Sequence, residues 1–107
     1  MIDIEKIKKE ITKKLKPLNP YKVILFGSYA YGTPNKDSDL DICVIEKKEV
    51  SKREQKFKIR EALKDIKIAK DILVENYDYY MSHSGREWIN TALYDARHKG
   101  IVLYEQR

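Results

Sequence analysis

Two aspartates stand two residues apart in Ser38-Asp39-Leu40-Asp41, at the mouth of an apolar run that continues to Ile45. In a strand, residues two apart project from one face with Cα atoms roughly 6.5–7 Å apart. Asp39 and Asp41 therefore point together, while Leu40, Ile42 and Val44 point the other way into a core. Two converging carboxylates repel each other unless a proton or a cation intervenes. Hard oxygen ligands on a rigid strand suit Mg²⁺, which is held by one or two carboxylates together with substrate phosphates. A polar loop that ends at Asp37, Ser38 and Asp39 would also account for Asp39, but it gives Asp41 no purpose.

A third acid is needed if two metals are bridged. Asp71 opens the next apolar run, Asp71 to Val74, and a neighbouring strand would bring it beside Asp41; a strand-edge residue paired with Lys70 is the plainer alternative. Asp65, on an expected helix surface, and Glu75, at a strand exit, are the rivals. Upstream, Gly27-Ser28 follows the apolar run Val23 to Phe26, with Gly32 after it. A glycine at a strand end lets backbone approach a ligand, and N–H groups opening a helical turn can hold phosphate oxygens. Taken alone, such a Gly-Ser pair is most often just a turn.

These groups need a frame. Ile4, Ile7, Ile11 and Leu15 follow helical spacing behind Asp3 as N-cap, and Pro17 and Pro20 end that helix. Lys22 to Phe26 reads as a buried strand, Gly27 to Asp39 as loop with one helical turn at its start, and Leu40 to Ile45 as a second strand. Ser51-Lys-Arg-Glu54 is a capping-box pattern, and Ile59, Ala62, Leu63 and Ile66 form the apolar stripe behind it. Asp71 to Val74 gives a third strand, and Tyr77 to Ser82 reads as loop with a helical turn. A second capping box, Ser84-Gly-Arg-Glu87, predicts a helix that buries Trp88, Ile89, Ala92, Leu93 and Ala96. Gly100 suits its C′ position, and Ile101 to Tyr104 suits a short final strand. This order describes one α+β domain over residues 1–107, with a small mixed sheet flanked by helices.

Composition limits the function classes. With 107 residues, 42% hydrophobic and 36% charged, the chain is too apolar for disorder and too charged for a membrane protein. One cysteine excludes an internal disulfide framework and fits a reducing compartment, so a cytoplasmic location is expected. The net charge of +5 invites a nucleic-acid reading. However, Glu5 with Lys9, Glu10 with Lys14 and Glu54 with Lys58 stand four apart, acid first, as solvated helical pairs do. Direct nucleic-acid binding is not expected, nor is membrane contact. Cys43 fits a small buried hydrophobe, and His83 and His98 fit surface or helix-end residues.

Taken together, Gly27-Ser28-Tyr29-Ala30-Tyr31-Gly32 and Ser38-Asp39-Leu40-Asp41 resemble the signature of the DNA polymerase β-like nucleotidyltransferase superfamily. The short length resembles its minimal nucleotidyltransferase group, the MNT proteins. The resemblance spans residues 20–105 and implies the polymerase β-like nucleotidyltransferase fold. It implies that Gly27, Ser28 and Ser38 bind the nucleotide, that Asp39, Asp41 and Asp71 ligate two Mg²⁺ ions, and that Asp71 faces the attacking hydroxyl. Tyr31 departs from the pattern, since many relatives carry Arg there. MNT proteins pair with HEPN-domain toxins as antitoxins, and some transfer AMP to a tyrosine of that partner. The resemblance thus implies an enzyme using ATP, acting within a hetero-oligomer. Tyr77, Tyr79, Tyr80 and Trp88 are candidates for the docking surface, although Trp88 also fits a core residue. An antitoxin acting by occlusion, and a small-molecule nucleotidyltransferase within a larger complex, are the alternative readings.

Overall fold

The computed structural model describes residues 3–35, 37–83, 85, 87 and 91–106. Helix α1 (Ile4–Leu15) opens on Asp3, whose carboxylate accepts from the Lys6 N–H at 3.1 Å, and it buries Ile11 and Leu15. Pro17 sits in a 3-10 turn, Lys16–Leu18, after which Asn19 turns the chain at φ 56°. Strand β1 (Lys22–Phe26) follows, then the four-residue helix α2 (Ser28–Tyr31). Strand β2 (Leu40–Glu46) pairs antiparallel with β1, placing Phe26 opposite Asp41. Helix α3 (Lys52–Ala62) is capped by Ser51, whose hydroxyl accepts from the Glu54 N–H at 3.3 Å. It crosses over to strand β3 (Lys70–Asn76), which lies parallel to β2 and in register with it. Strand β4 (Ile101–Glu105) pairs antiparallel with β1 on the other side, so the mixed sheet runs β3-β2-β1-β4. None of the helices among the described residues is long and apolar enough to cross a membrane.

Alternation along the strands builds two cores rather than one. Val23, Leu25, Leu40, Ile42, Val44, Ile72 and Val74 face α1 and α3, meeting Ile11, Leu15, Ile59 and Leu63. On the other face Ile24, Phe26, Cys43 and Ile45 meet Tyr80, Leu93 and Ala96. Each of these buried aliphatic side chains contributes roughly 1.5–3 kcal/mol of transfer free energy, so both faces hold the sheet rigid.

Three expectations are corrected here. Tyr77–Ser82 is a helix, α4, because the Asn76 side chain caps it by accepting from the Asp78 N–H at 2.9 Å. The last helix, α5 (Ala92–Lys99), starts later than the Ser84 capping box suggests, because Thr91 Oγ1 accepts from the Tyr94 N–H at 3.2 Å. Ser84, Arg86, Trp88 and Ile89 lie outside the described residues. Gly100 caps α5 in extended backbone, φ −75° and ψ 167°, not in the left-handed form. Glycine fits there because a Cβ would overlap the Ala96 carbonyl oxygen and Ile24 Cγ2, and would lie 3.0 Å from the Leu25 carbonyl oxygen.

Candidate active site

The face of β2 that carries Asp41 runs from solvent into the second core, and Asp39 lies just ahead of the strand. Asp39 is exposed, Asp41 half-buried, and Cys43 and Ile45 fully buried. Strand β3 repeats the gradient beside it, from exposed Asp71 through Leu73 to buried Glu75. Because β2 and β3 are parallel, Asp41 is the register partner of Asp71. In-register neighbours on one sheet face sit about 4.8 Å apart along the hydrogen-bonding direction. Burial pushes the Asp41 carboxyl above the usual carboxylate range, and the nearby charges of Asp71 and Asp39 push it further. Among the described residues, none of the three aspartates takes part in a salt bridge.

Lys70 does not pair with Asp71. Alternation turns the two side chains to opposite faces, and the Lys70 ammonium donates instead to the carbonyls of Ile66 at 2.6 Å and Ile68 at 2.9 Å. The rival acids are also engaged elsewhere. Asp65 lies in the turn after α3 and pairs with Lys14 at 3.7 Å, and buried Glu75 pairs with Lys52 of α3.

Gly27 closes the site from the β1 side. Its φ of 74° and ψ of −157° lie where L side chains are disfavoured. A Cβ there would overlap Asp41 Oδ2 and sit 2.9 Å from Asp41 Cγ. The carboxylate thus occupies the space that any other residue at 27 would fill. The Gly27 carbonyl accepts from the N–H groups of Ala30 and Tyr31, at 2.9 and 3.1 Å. The Ser28 and Tyr29 N–H groups carry no backbone acceptor among the described residues. Ser38 braces the intervening loop: its hydroxyl accepts from the Asn35 N–H at 2.9 Å.

The donor set suits a hard divalent cation, being all carboxylate oxygen around an acid that carries uncompensated negative charge. Among the described residues no three His, Cys, Asp or Glu side chains already converge as a metal cage.

The sequence model of the nucleotidyltransferase domain family matches residues 4–100, which span both glycines of the Gly27–Gly32 segment and all three aspartates. The chain belongs to that family. No curated protein sequence matches it. Solved nucleotidyltransferase-like structures share its fold at low identity. A chain of a toxin–antitoxin complex solved with AMP-PNP is 19% identical with a TM-score of 0.66, over 94% of this chain and 74% of that one. A chain of the complex between tri-AMPylated Shewanella oneidensis HEPN toxin and MNT antitoxin is 15% identical with a TM-score of 0.63, over 97% and 74%. One from the toxin–antitoxin pair MntA–HepT is 15% identical with a TM-score of 0.61, over 95% and 73%.

The aromatic candidates separate. Tyr80 is 3% exposed and belongs to the second core, not to a docking surface. Tyr77 packs partly against that core, edge-on to Tyr21 at 4.9 Å. Tyr79 is 42% exposed, stacks on His83 at 3.8 Å and carries the Lys52 ammonium 5.2 Å from its ring. Trp88 lies outside the described residues. His98 stacks on Tyr94 at 4.2 Å. Buried Cys43 has its thiol pushed up to about 12, chiefly by desolvation, so it is a core residue. Lys99, ion-paired with Asp95 at 3.8 Å, also lies 5.8 Å from the Tyr31 ring, a contact the sequence does not announce. Only tertiary packing of α5 against β1 brings it there.

Proposed function

We propose that this domain is a Mg²⁺-dependent nucleotidyltransferase that moves AMP from ATP to a tyrosine hydroxyl of a HEPN-type toxin, and so acts as its antitoxin. The observation that carries the reading is the register pairing of Asp41 with Asp71 against the Cβ-less wall of Gly27. Family membership supports transfer of a nucleotide, and the AMP-PNP and AMPylated-toxin complexes sharing this fold support AMP and a protein acceptor.

In this reading Asp39, Asp41 and Asp71 hold the metal, and the turn at Gly27 and Ser28, with Ser38, takes the triphosphate. Mg²⁺, when bound, supplies charge neutralisation of the phosphates and lowers the acceptor's pKa. The protein's task is positioning. The acceptor oxygen forms its bond to the α-phosphorus as the bond from that phosphorus to the bridging oxygen breaks. Pyrophosphate leaves with that electron pair, and the acceptor's proton passes to Asp71 or to water.

The test is co-expression with a HEPN partner, followed by mass spectrometry of the partner. An added AMP that disappears with Asp39→Asn, while the complex persists, is expected. A partner neutralised without any added mass supports occlusion instead, the reading favoured by the absence of a preformed three-ligand cage among the described residues.

A further inference from the structure

We infer that the open edge of β4, together with the lysine face of α1, docks an extended acidic segment of a partner protein as a fifth strand of the sheet. The strand order leaves β4 with a neighbour, β1, on one side only. Among the described residues, no backbone hydrogen bond outside the β1 ladder reaches Ile101–Glu105. An unpaired edge presents a row of N–H and C=O groups ready for another strand, unless something blunts it. Proline is absent from this strand; a bulge at Leu103, where the β1 register shifts between Val23 and Ile24, interrupts its ladder, and beside it Val102 is an aliphatic side chain 48% exposed.

Beside that edge lies a shallow, open groove bordered by α1 and lined by Pro17, Ile101, Val102 and Leu103. Lys8, Lys9, Lys13 and Lys16 line the α1 wall. Lys9, Lys13 and Lys16 are exposed and have no ion pair among the described residues, whereas Lys8 pairs with Glu5 at 3.0 Å. Another face of the same helix carries Ile7, Ile11 and Leu15 into the core, so helical spacing keeps the lysines on the solvent side that borders the groove.

Backbone pairing, apolar lining and cationic wall each select a feature of the occupant. The edge wants extended backbone. Alternate side chains of such a strand face opposite ways, so one set can be apolar and meet the lining. Acidic residues in the other set complement the lysines. A second copy of this chain fits poorly, because antiparallel pairing of two β4 edges brings two lysine walls together. A nucleic acid also fits poorly, since the residues lining the groove include no aromatic for base stacking. This docking can hold in a protein that transfers nothing.

The probe is a terminally blocked peptide of alternating Glu and Val, long enough to span β4, titrated against the whole chain at low salt. Saturable binding is expected, with slowed amide exchange confined to residues 101–105 and the α1 wall. N-methylation of alternate peptide amides should abolish binding without changing its charge. The triple variant Lys9→Ser, Lys13→Ser, Lys16→Ser, all exposed positions, should weaken binding about tenfold or more. Equal binding of the N-methylated peptide would reduce the site to a charge patch and overturn the proposal. So would equal competition by oligo-dT, absence of binding, or self-association in sedimentation that Val102→Lys removes.

Discussion

The β2–β3 pair carries carboxylates at both ends, and the two ends treat them oppositely. At the closed end, Glu75 is 6% exposed and paired with Lys52, which also sits over the Tyr79 ring. Glu46, on the other face, is equally buried, with Gln55 and Lys58 nearby favouring its charged form. At the open end the charges of Asp71 and Asp39 act on half-buried Asp41, and none of the three takes part in a salt bridge among the described residues. Charge supplied internally makes a structural element, whereas charge left uncompensated makes a site that an external cation can complete. The nearby surface contains lysines in abundance, so the want of one here is local rather than compositional.

The sharpest way to break this contrast is to neutralise the open end. Asp39→Asn, Asp41→Asn and Asp71→Asn should each lower AMP transfer by ~10²-fold or more, since each removes a charge from the proposed metal site at nearly constant shape. Metal-free melting temperature of Asp41→Asn at neutral pH should hold or rise, because a repelled carboxylate is removed. Wild-type transfer by Asp41→Asn would dissolve the distinction between the ends.

Gly27→Val tests whether the open end is also sterically committed. Valine at a positive φ costs about 1–3 kcal/mol, and its Cβ would displace the Asp41 carboxylate. Calorimetry with ATP and Mg²⁺ should show binding lost, although circular dichroism still reports a folded chain. Undiminished binding would detach the glycine from the nucleotide site.

The closed end should respond in stability and not in chemistry. Lys52→Ala leaves Glu75 buried without its partner, which costs on the order of 1–3 kcal/mol in urea unfolding. ATP affinity of the same variant should stay near wild type. A loss of affinity without loss of stability would place Lys52 at the nucleotide instead.

The smallest effect concerns pH. Burial raises Glu46 above its ordinary value of 4.5, outweighing the help of Gln55 and Lys58. A carboxyl whose folded pKa exceeds its unfolded pKa contributes fully below the unfolded value, and that contribution is lost as pH rises through the folded one. Glu46→Gln should therefore gain in melting temperature relative to wild type between mildly acidic and neutral pH, and show no such gain near pH 4. A pH-independent difference would contradict this assignment.

Much of this frame was legible in the sequence because it rests on local signals. Asp3, Ser51 and the i, i+3, i+7 apolar spacing marked α1 and α3, whereas the period-two alternation expected to pair Asp39 with Asp41 reaches only Asp41, because β2 begins at Leu40. The Asn76 cap of α4 was equally local, but Tyr77-Asp-Tyr-Tyr80 carries no clear apolar period to announce a helix. Tyr80 shows the other limit. Its identity fits a docking surface and a core equally, and only the seating of α4 against Cys43 and Ile45 decides for the core. The Gly27–Asp41 contact could not be read at all, because it depends on the antiparallel register that sets Phe26 opposite Asp41.

The parallel pairing of β2 with β3 also divides the birth of the site in time. Gly27 and Asp41 meet through the β1–β2 hairpin, a closure of short range. Asp71 arrives only after residues 47–69 have crossed over the sheet, and contacts of greater sequence separation form more slowly. A chain still emerging from the ribosome is therefore expected to hold the Gly27 turn against Asp41 well before Asp71 joins them. Pulse-labelled exchange during refolding should protect the Asp41 amide before that of Ile72, and simultaneous protection would refute the two-stage assembly. If the proposed function holds, the turn expected to take the triphosphate forms before the full set of acids expected to hold the metal.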